Sequence, residues 1–141
     1  MTQTPSPQHT LEAAFRAAHA RRVLLAEDSE SMRDMLECVL LKDGYDVTAV
    51  EDGDDLVAAL DAAYGCAPEL IITDVRMPGR SGLQVLEHLR ARDRVTPVVL
   101  ITAFGDAETH EEAGRLGAVV LDKPFALDEL RAIAKRQLRP R

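Results

Sequence analysis

Three short runs of the sequence are apolar at nearly every position: VLLA at 23–26, LIIT at 70–73 and VVLIT at 98–102. A strand with one face in water alternates apolar and polar residues. A strand covered on both faces is apolar throughout, as in a parallel sheet wrapped by helices. Each run is followed by a segment with apolar residues at helical spacing. The sequence therefore predicts an α/β fold with a doubly wound parallel sheet.

The strand and helix signals repeat five times after Arg22. The predicted strands lie in RVLLAED, YDVTAVED, PELIITD, TPVVLITA and AVVLDKP, and the predicted helices in MRDMLECVLLKDG, DDLVAALDAAYG, SGLQVLEHLRAR, AETHEEAGRLG and ALDELRAIAKRQL. We expect Asp106 to cap the fourth helix, and we expect glycines at the ends of three helices, namely Gly44, Gly65 and Gly117. Cys38 lies within the first helical pattern and is predicted to be a small core residue.

Residues 1–20 differ from the rest of the chain. TQTPSPQHT is polar and contains two prolines, and it is followed by Leu11, Ala14, Phe15 and Ala18 at helical spacing. An isolated helix of this length is only marginally stable in water. We therefore expect a flexible leader over 1–20, either frayed or folded as a short helix that docks on this domain or on a partner. A single domain is expected over 21–139.

Acidic residues outnumber basic residues, 24 to 17, which gives this 141-residue chain a formal net charge of −7. Such a domain has no general attraction for phosphate backbones, so direct binding of nucleic acid is not expected. No apolar run reaches the ~20 residues that span a bilayer, and no hydrophobic signal region is present. We expect a cytoplasmic protein that does not bind membranes. The two cysteines lack the spacing of zinc ligands.

Polar residues collect where the predicted strands end. Glu27 and Asp28 follow the first strand, Asp74 ends the third, Thr102 ends the fourth and Lys123 ends the fifth. Ligands of open parallel sheets bind beyond the carboxyl ends of the strands, so these side chains are expected to share one crevice. Considered singly, each has an ordinary structural role, such as a helix cap, a β-former or a surface lysine. Their coincidence at four strand ends favours a functional site.

Three neighbouring carboxylates repel one another unless a cation neutralises them. Oxygen ligands without His or Cys favour magnesium over zinc. An ammonium and a hydroxyl in the same crevice can bind a phosphate oxygen. The combination is typical of phosphoryl transfer to a carboxylate, in which positioning and charge neutralisation supply most of the catalysis.

Four motifs carry a resemblance to a known family: VLLAEDS, IITDVRMPGRSG, PVVLITAFGD and LDKPF. In this order and at these separations, the segment from Arg22 to Leu138 resembles the receiver domain of two-component response regulators. DVRMPG and ITAFGD are most similar to receivers of the nitrogen-regulation, NtrC-like type. The resemblance implies a flavodoxin-like (βα)5 fold with strand order 2-1-3-4-5, and a phosphorelay function.

The resemblance also implies roles for the residues at the strand ends. Asp74 would be the phosphoacceptor, and Mg²⁺, or Mn²⁺ in its place, would be the cofactor. Asp28 would bind the metal directly, Glu27 would bind it through water, and the Asp74 carboxylate and the main-chain carbonyl of Arg76 would be further ligands. The only catalysis expected is the domain's own phosphorylation and dephosphorylation.

Family likeness further implies that Thr102 and Lys123 bind the phosphoryl group and that the bond to Pro124 is cis. The donor would be a histidine kinase or a histidine phosphotransfer protein. The change of conformation that signals phosphorylation would occur in the fourth helix, fifth strand and fifth helix, where family members often form homodimers. Four residues on this face are candidates for such contacts, although most are expected to be core: Leu116, Val120, Leu127 and Leu130.

Two features set this sequence apart or vary within the family. Receivers often carry Tyr or Phe three residues before the lysine, where this chain has Val120, which cannot act as an aromatic switch. Arg76 and Phe104 occupy positions that influence hydrolysis of the acyl phosphate. A long cation and a bulky ring there lead us to expect a long-lived phosphoryl group.

Two alternatives are weaker. A phosphatase of the haloacid-dehalogenase type would need DxDx[TV] after the first strand, where this chain has AEDSES. A degenerate receiver that binds partners without phosphorylation is consistent with Val120 but not with intact Asp74, Thr102 and Lys123. The sequence leaves open whether the chain is a stand-alone regulator or a piece of a longer one.

Overall fold

Five parallel strands and five helices alternate along the chain in the computed structural model, which describes residues 11–12, 14–15, 19–62, 67–103 and 106–138. The strands are β1 (Arg22–Ala26), β2 (Asp46–Val50), β3 (Leu70–Asp74), β4 (Val98–Ala103) and β5 (Val119–Lys123). The helices are α1 (Glu30–Lys42), α2 (Gly53–Ala62), α3 (Gly82–Arg90), α4 (Ala107–Arg115) and α5 (Leu127–Gln137).

The sheet has the order β2-β1-β3-β4-β5 with all neighbours parallel, which confirms the predicted doubly wound α/β fold. The order reverses at β1, because β2 lies on one side of it and β3 on the other. Asp74 is paired with Ile101, and Thr102 is paired with Asp122. This register places the carboxyl ends of the strands along one edge, next to the point where the order reverses.

Two hydrophobic cores lie on opposite faces of the sheet. Odd-numbered β1 residues such as Val23 and Leu25 point to the face covered by α1 and α5, and Leu24 and Ala26 point to the face covered by α2, α3 and α4. Both faces of the central strands are therefore buried. This burial is the physical reason for the continuous apolar runs in the sequence.

Side-chain caps mark the beginning of α1 and α4. Ser29 accepts a hydrogen bond from the amide of Met32 (3.4 Å) at the start of α1. Asp106 accepts one from the amide of Thr109 (3.1 Å) at the start of α4, as predicted. Gly44 and Gly117 follow α1 and α4 with φ of +92° and +72°, the left-handed conformation expected of terminal glycines. Gly65 lies outside the described residues.

The prediction for Cys38 is wrong, because its side chain is exposed. The buried side of α1 is formed by Leu36 and Leu40, which are four residues apart on one face. Cys38 lies halfway between them in sequence and therefore on the opposite side of the helix. On the α4-β5-α5 face, Leu130 is fully buried, whereas Leu116, Val120 and Leu127 are half-buried against the two cores.

Helical residues are also present before β1. Five of the described residues there are helical, namely Leu11, Glu12, Ala14, Phe15 and His19. The rings of Phe15 and His19 stack with their centroids 4.0 Å apart. Leu11 and Phe15 are both exposed to solvent. Flexibility of the leader and the boundaries of the domain stay predictions. Within the described residues, no helix combines the length and the apolar character needed to cross a membrane.

Candidate functional site

The residues predicted for the site lie at the carboxyl edge of the sheet. Glu27 follows β1 directly, Asp74 is the last residue of β3, Thr102 is near the end of β4, and Lys123 is the last residue of β5. Glu27, Asp74 and Thr102 are buried, with at most 5% of each exposed. Asp28 is exposed at the mouth of the site. The arrangement thus combines a buried interior with one open side.

The Asp74 carboxylate has a hydrogen-bond partner on each oxygen. The Lys123 ammonium donates to Oδ2 at 2.7 Å, and the amide of Arg76 donates to Oδ1 at 3.2 Å. Burial lowers the pKa of Lys123, but the hydrogen bond and charge of Asp74, with the charges of Glu27 and Asp28, raise it above its usual value overall. Lys123 is therefore a cation held against the predicted phosphoacceptor.

Glu27 is the most deeply buried carboxylate of the site. Its amide donates to the Val50 carbonyl (3.1 Å), and its own carbonyl accepts from the Arg33 guanidinium (2.9 Å), so the main chain is fixed. Burial raises the pKa of its side chain to about 7; the carboxyl of Asp74 acts in the same direction and the charge of Lys123 opposes it. Among the described residues, its buried Oε2 has no hydrogen-bond partner. Such an atom calls for a cation or a bridging water.

Carboxylate oxygens of Glu27, Asp28 and Asp74 lie within 4.8 Å of one another. The unpartnered Oε2 of Glu27, the purely oxygen donor set and the exposed position of Asp28 fit a hard divalent cation such as Mg²⁺ that retains some of its water. A second group of carboxylates, Glu51, Asp52 and Asp55, is more exposed, and Asp52 already accepts from the amide of Asp55 (2.7 Å) as a helix cap.

The loop between β3 and α3 follows the phosphoacceptor directly. Its first amide, on Val75, donates to the Ile101 carbonyl (2.9 Å), and the amide of Gly82 donates back to the Val75 carbonyl (2.9 Å). Gly82 packs so tightly that a Cβ there would lie 2.4 Å from the main-chain oxygen of Asp74. Sequence reasoning missed this contact and a similar one at Gly53. The glycines in MPGRSG and EDGDD are the sequence features that could have indicated these two contacts.

The opposite wall of the site contains Thr102 and the cis bond between Lys123 and Pro124. Asp122, the cross-strand neighbour of Thr102, accepts a hydrogen bond at its Oδ1 from Nε2 of His110 in α4, at 2.7 Å. Val120 is half-buried and packs on the core under α4. Phe104 lies outside the described residues, and the Arg76 side chain is exposed.

A five-stranded parallel sheet of order 2-1-3-4-5, with clustered carboxylates and a lysine at its carboxyl edge, defines the class of flavodoxin-like α/β folds. Comparison with known families assigns the chain within that class. The model of the response regulator receiver domain matches residues 23–135, and the chain belongs to this family. The resemblance stated from the motifs is thereby confirmed.

Two regulatory proteins are similar in sequence to this chain, in accordance with the family. Regulatory protein AtoC of Escherichia coli K12 is 35% identical over 118 residues, which are 83% of this chain and 25% of AtoC. Transcriptional regulatory protein FixJ of Bradyrhizobium diazoefficiens is 36% identical over 118 residues, 83% of this chain and 56% of FixJ. The chain thus spans about a quarter of one relative and just over half of the other.

A solved structure agrees with the fold. The chemotaxis response regulator CheY4 of Vibrio cholerae superimposes with a TM-score of 0.75 at 30% identity, covering 84% of this chain and 99% of that chain. The similarity therefore includes nearly all of that chain.

Proposed function

We propose that this receiver domain accepts a phosphoryl group on Asp74 in a Mg²⁺-dependent reaction and signals by a change of conformation. The observation that carries the proposal is the 2.7 Å contact between the Asp74 carboxylate and the Lys123 ammonium, inside a cluster of three carboxylates. Of these three acids, Asp74 is the one that ends a central strand and contacts the lysine. Asp74 therefore has a fixed position, and the adjacent Lys123 ammonium can neutralise the negative charge that a phosphoryl group adds.

The chemistry would be an in-line displacement at phosphorus. A carboxylate oxygen of Asp74 bonds to phosphorus while the bond from phosphorus to a donor imidazole nitrogen breaks, and the electron pair stays on that nitrogen. Bound Mg²⁺ would neutralise the carboxylates and the phosphoryl oxygens. Asp28 is proposed as its direct ligand, Glu27 as a ligand through water, and the Asp74 carboxylate and the carbonyl of Arg76 as further protein ligands.

Lys123 and Thr102 are proposed to hold the product. Phosphorylation adds roughly two negative charges, and the Lys123 ammonium is already in contact with the acceptor. Thr102 is buried one position beyond Ile101, the strand partner of Asp74. A hydroxyl at this position can donate to a phosphoryl oxygen after a short movement of the end of β4.

Acetyl phosphate and intact mass spectrometry test the proposal without a kinase. With Mg²⁺, the wild-type chain should gain the mass of one phosphoryl group, and the Asp74→Asn variant should gain none. Asp46→Asn is a matched control, because Asp46 is exposed at the opposite end of the sheet, at the start of β2. No gain in the wild type would favour a degenerate receiver. A gain that survives Asp74→Asn would place the phosphoryl group elsewhere.

The natural donor is proposed to be a histidine kinase or a histidine phosphotransfer protein that docks beside the acceptor. A mainly apolar cavity of about 420 Å³ adjoins Lys123 and is lined also by Met32, Met35, Phe125 and Leu127. Met35 is 42% exposed there. A donor that covers this cavity would bring its phosphohistidine to the open side of the site while burying apolar surface.

The docking surface is tested by comparing two donors. Met35→Lys should slow transfer from a cognate phosphorylated kinase while leaving phosphorylation by acetyl phosphate unchanged. Leu41→Lys is the matched control, because Leu41 is equally apolar and exposed but lies at the far end of α1. Equal loss with both donors would show that the substitution damages the site itself and would contradict the docking role.

Output is proposed to pass through the α4-β5-α5 face to a downstream protein or to a second copy of the chain. The contact of His110 with Asp122 joins α4 to the strand next to Thr102. Since Val120 cannot serve as an aromatic switch, we propose that this polar contact relays the state of the site. Asp122→Asn should then reduce the NMR shift changes in α4 on phosphorylation while leaving the mass gain intact.

The lifetime of the phosphoryl group stays a prediction. Arg76 follows the acceptor by two residues, and its exposed side chain is free to lie over the phosphoryl group. Decay of radiolabelled wild type should be slower than decay of the Arg76→Ala/Phe104→Ala variant. Rapid decay in both proteins would contradict the proposed shielding from water.

A further inference from the structure

The first residue of α2 lies directly against the loop that follows the phosphoacceptor. The amide of Gly53 donates to the Pro78 carbonyl at 3.3 Å. A Cβ at Gly53 would lie 1.8 Å from the main-chain oxygen of Arg80 and 2.6 Å from its carbonyl carbon. Gly53 is not among the glycines with positive φ. Lack of space against another main chain, rather than an unusual backbone angle, therefore requires glycine here.

The loop has little room to yield if a side chain is placed at Gly53. Its base is closed by the hydrogen bonds from Val75 to Ile101 and from Gly82 to Val75, both 2.9 Å. On the inner side, Gly82 already packs on the main chain of Asp74. A methyl group at Gly53 must therefore push the segment from Pro78 to Arg80 outward, away from α2.

We infer that Gly53 is a positioning residue for the metal-binding loop, an inference that rests on the proposed function. The displaced segment begins two residues after Arg76, whose amide holds Oδ1 of Asp74 and whose carbonyl is the proposed metal ligand. The N-terminus of α2 supports the loop and thereby sets the distance between this carbonyl and the carboxylates. A helix outside the site thereby controls the geometry within it.

Side chains at the same boundary are less suited to this role. Arg80 and Asp54 form an ion pair at 3.6 Å, but both side chains are substantially exposed. Exposed pairs contribute little and are screened by salt. We therefore expect Arg80→Ala to leave Mg²⁺ affinity within about twofold of wild type, whereas a methyl group at Gly53 acts on the main chain directly.

Calorimetric titration with Mg²⁺ tests the inference in the unphosphorylated chain. Gly53→Ala should weaken Mg²⁺ binding about tenfold, as expected for a group that orients a ligand. In EDTA, amide exchange of the loop over 76–80 should also become faster. Gly114→Ala is the matched control, because nothing in the described part of the chain lies within 4 Å of a Cβ at Gly114 in α4. That variant should bind Mg²⁺ like the wild type.

Loss of general stability is a competing explanation for weaker binding. Leu138→Ala removes a buried side chain after α5, at the end of the sheet remote from the site, and it should lower the unfolding temperature without changing Mg²⁺ affinity. If Gly53→Ala binds Mg²⁺ within twofold of wild type, or no more weakly than Leu138→Ala, the inference is wrong.

A measurement on the wild type decides the matter if Gly53→Ala does not fold. Addition of Mg²⁺ should shift the NMR amide signal of Gly53 with the same dissociation constant as that of Arg76, and leave Gly114 unmoved. An unmoved Gly53 signal overturns the inference. Mg²⁺-dependent labelling of Asp74 by acetyl phosphate is read separately, so failure of the wild type to be labelled contradicts the proposed function instead.

Discussion

Replacement of Glu27 by glutamine should make the metal-free protein more stable. Glu27 is 2% exposed, lies beside Asp74 and has an Oε2 without a hydrogen-bond partner in the part of the chain that the structure describes. Its ionised form is therefore disfavoured by the fold, and its pKa rises from 4.5 to about 7. At 1.36 kcal/mol per pKa unit, the cost of ionising it in the folded state is about 3 kcal/mol. Glutamine keeps the shape and removes the charge.

The sign of the pH dependence follows from which state holds the proton. The unfolded chain loses the Glu27 proton near pH 4.5 and the folded chain near pH 7. Between these values the folded state binds more protons, so stability of the wild type falls as pH rises. The advantage of Glu27→Gln should be close to zero at pH 4.5 and should reach about 2–3 kcal/mol at pH 8.

Urea unfolding in EDTA at both pH values measures this difference. Glu111→Gln is the matched control, because Glu111 is exposed in the middle of α4, and its effect should stay within about 0.5 kcal/mol at either pH. Added Mg²⁺ should stabilise the wild type by mass action and the Glu27→Gln variant much less. A Glu27→Gln variant that is less stable than wild type at pH 8 in EDTA would refute the reasoning.

Three further predictions concern other parts of the molecule. Lys123→Met should raise the pKa of Glu27 further, measured by NMR titration, because the charge of Lys123 now lowers it; an unchanged pKa would contradict the contact geometry. Asp106→Ala removes the cap of α4 and should cost about 1 kcal/mol in urea unfolding, with faster amide exchange confined to the first turn. Leu40→Ala empties a fully buried position on the α1 side of the sheet and should cost about 2–5 kcal/mol; a cost below about 1 kcal/mol would contradict its place in the core.

Much of the fold could be predicted because the information is local. Continuous apolar runs indicated strands buried on both faces, and the rule for parallel sheets then placed Glu27, Asp74, Thr102 and Lys123 on one edge. The structure brings the three carboxylates within 4.8 Å and the lysine within 2.7 Å of Asp74. Chain direction and strand ends were sufficient for this result, since a strand carries its last residue to the edge whatever packs around it.

Contacts between elements could not be predicted in the same way, because a periodic pattern describes one element at a time. Cys38 has an apolar side chain in an apolar helix, yet its exposure depends on which face of α1 meets the sheet. Gly53 directly precedes a predicted helix, and only the packed structure brings it against Arg80. The raised pKa of Glu27 has the same origin, since it requires Asp74 from a strand 47 residues later and the closure of the site around both. The sequence thus identifies which groups reach the site, whereas their distances and charges depend on how closely neighbouring loops pack.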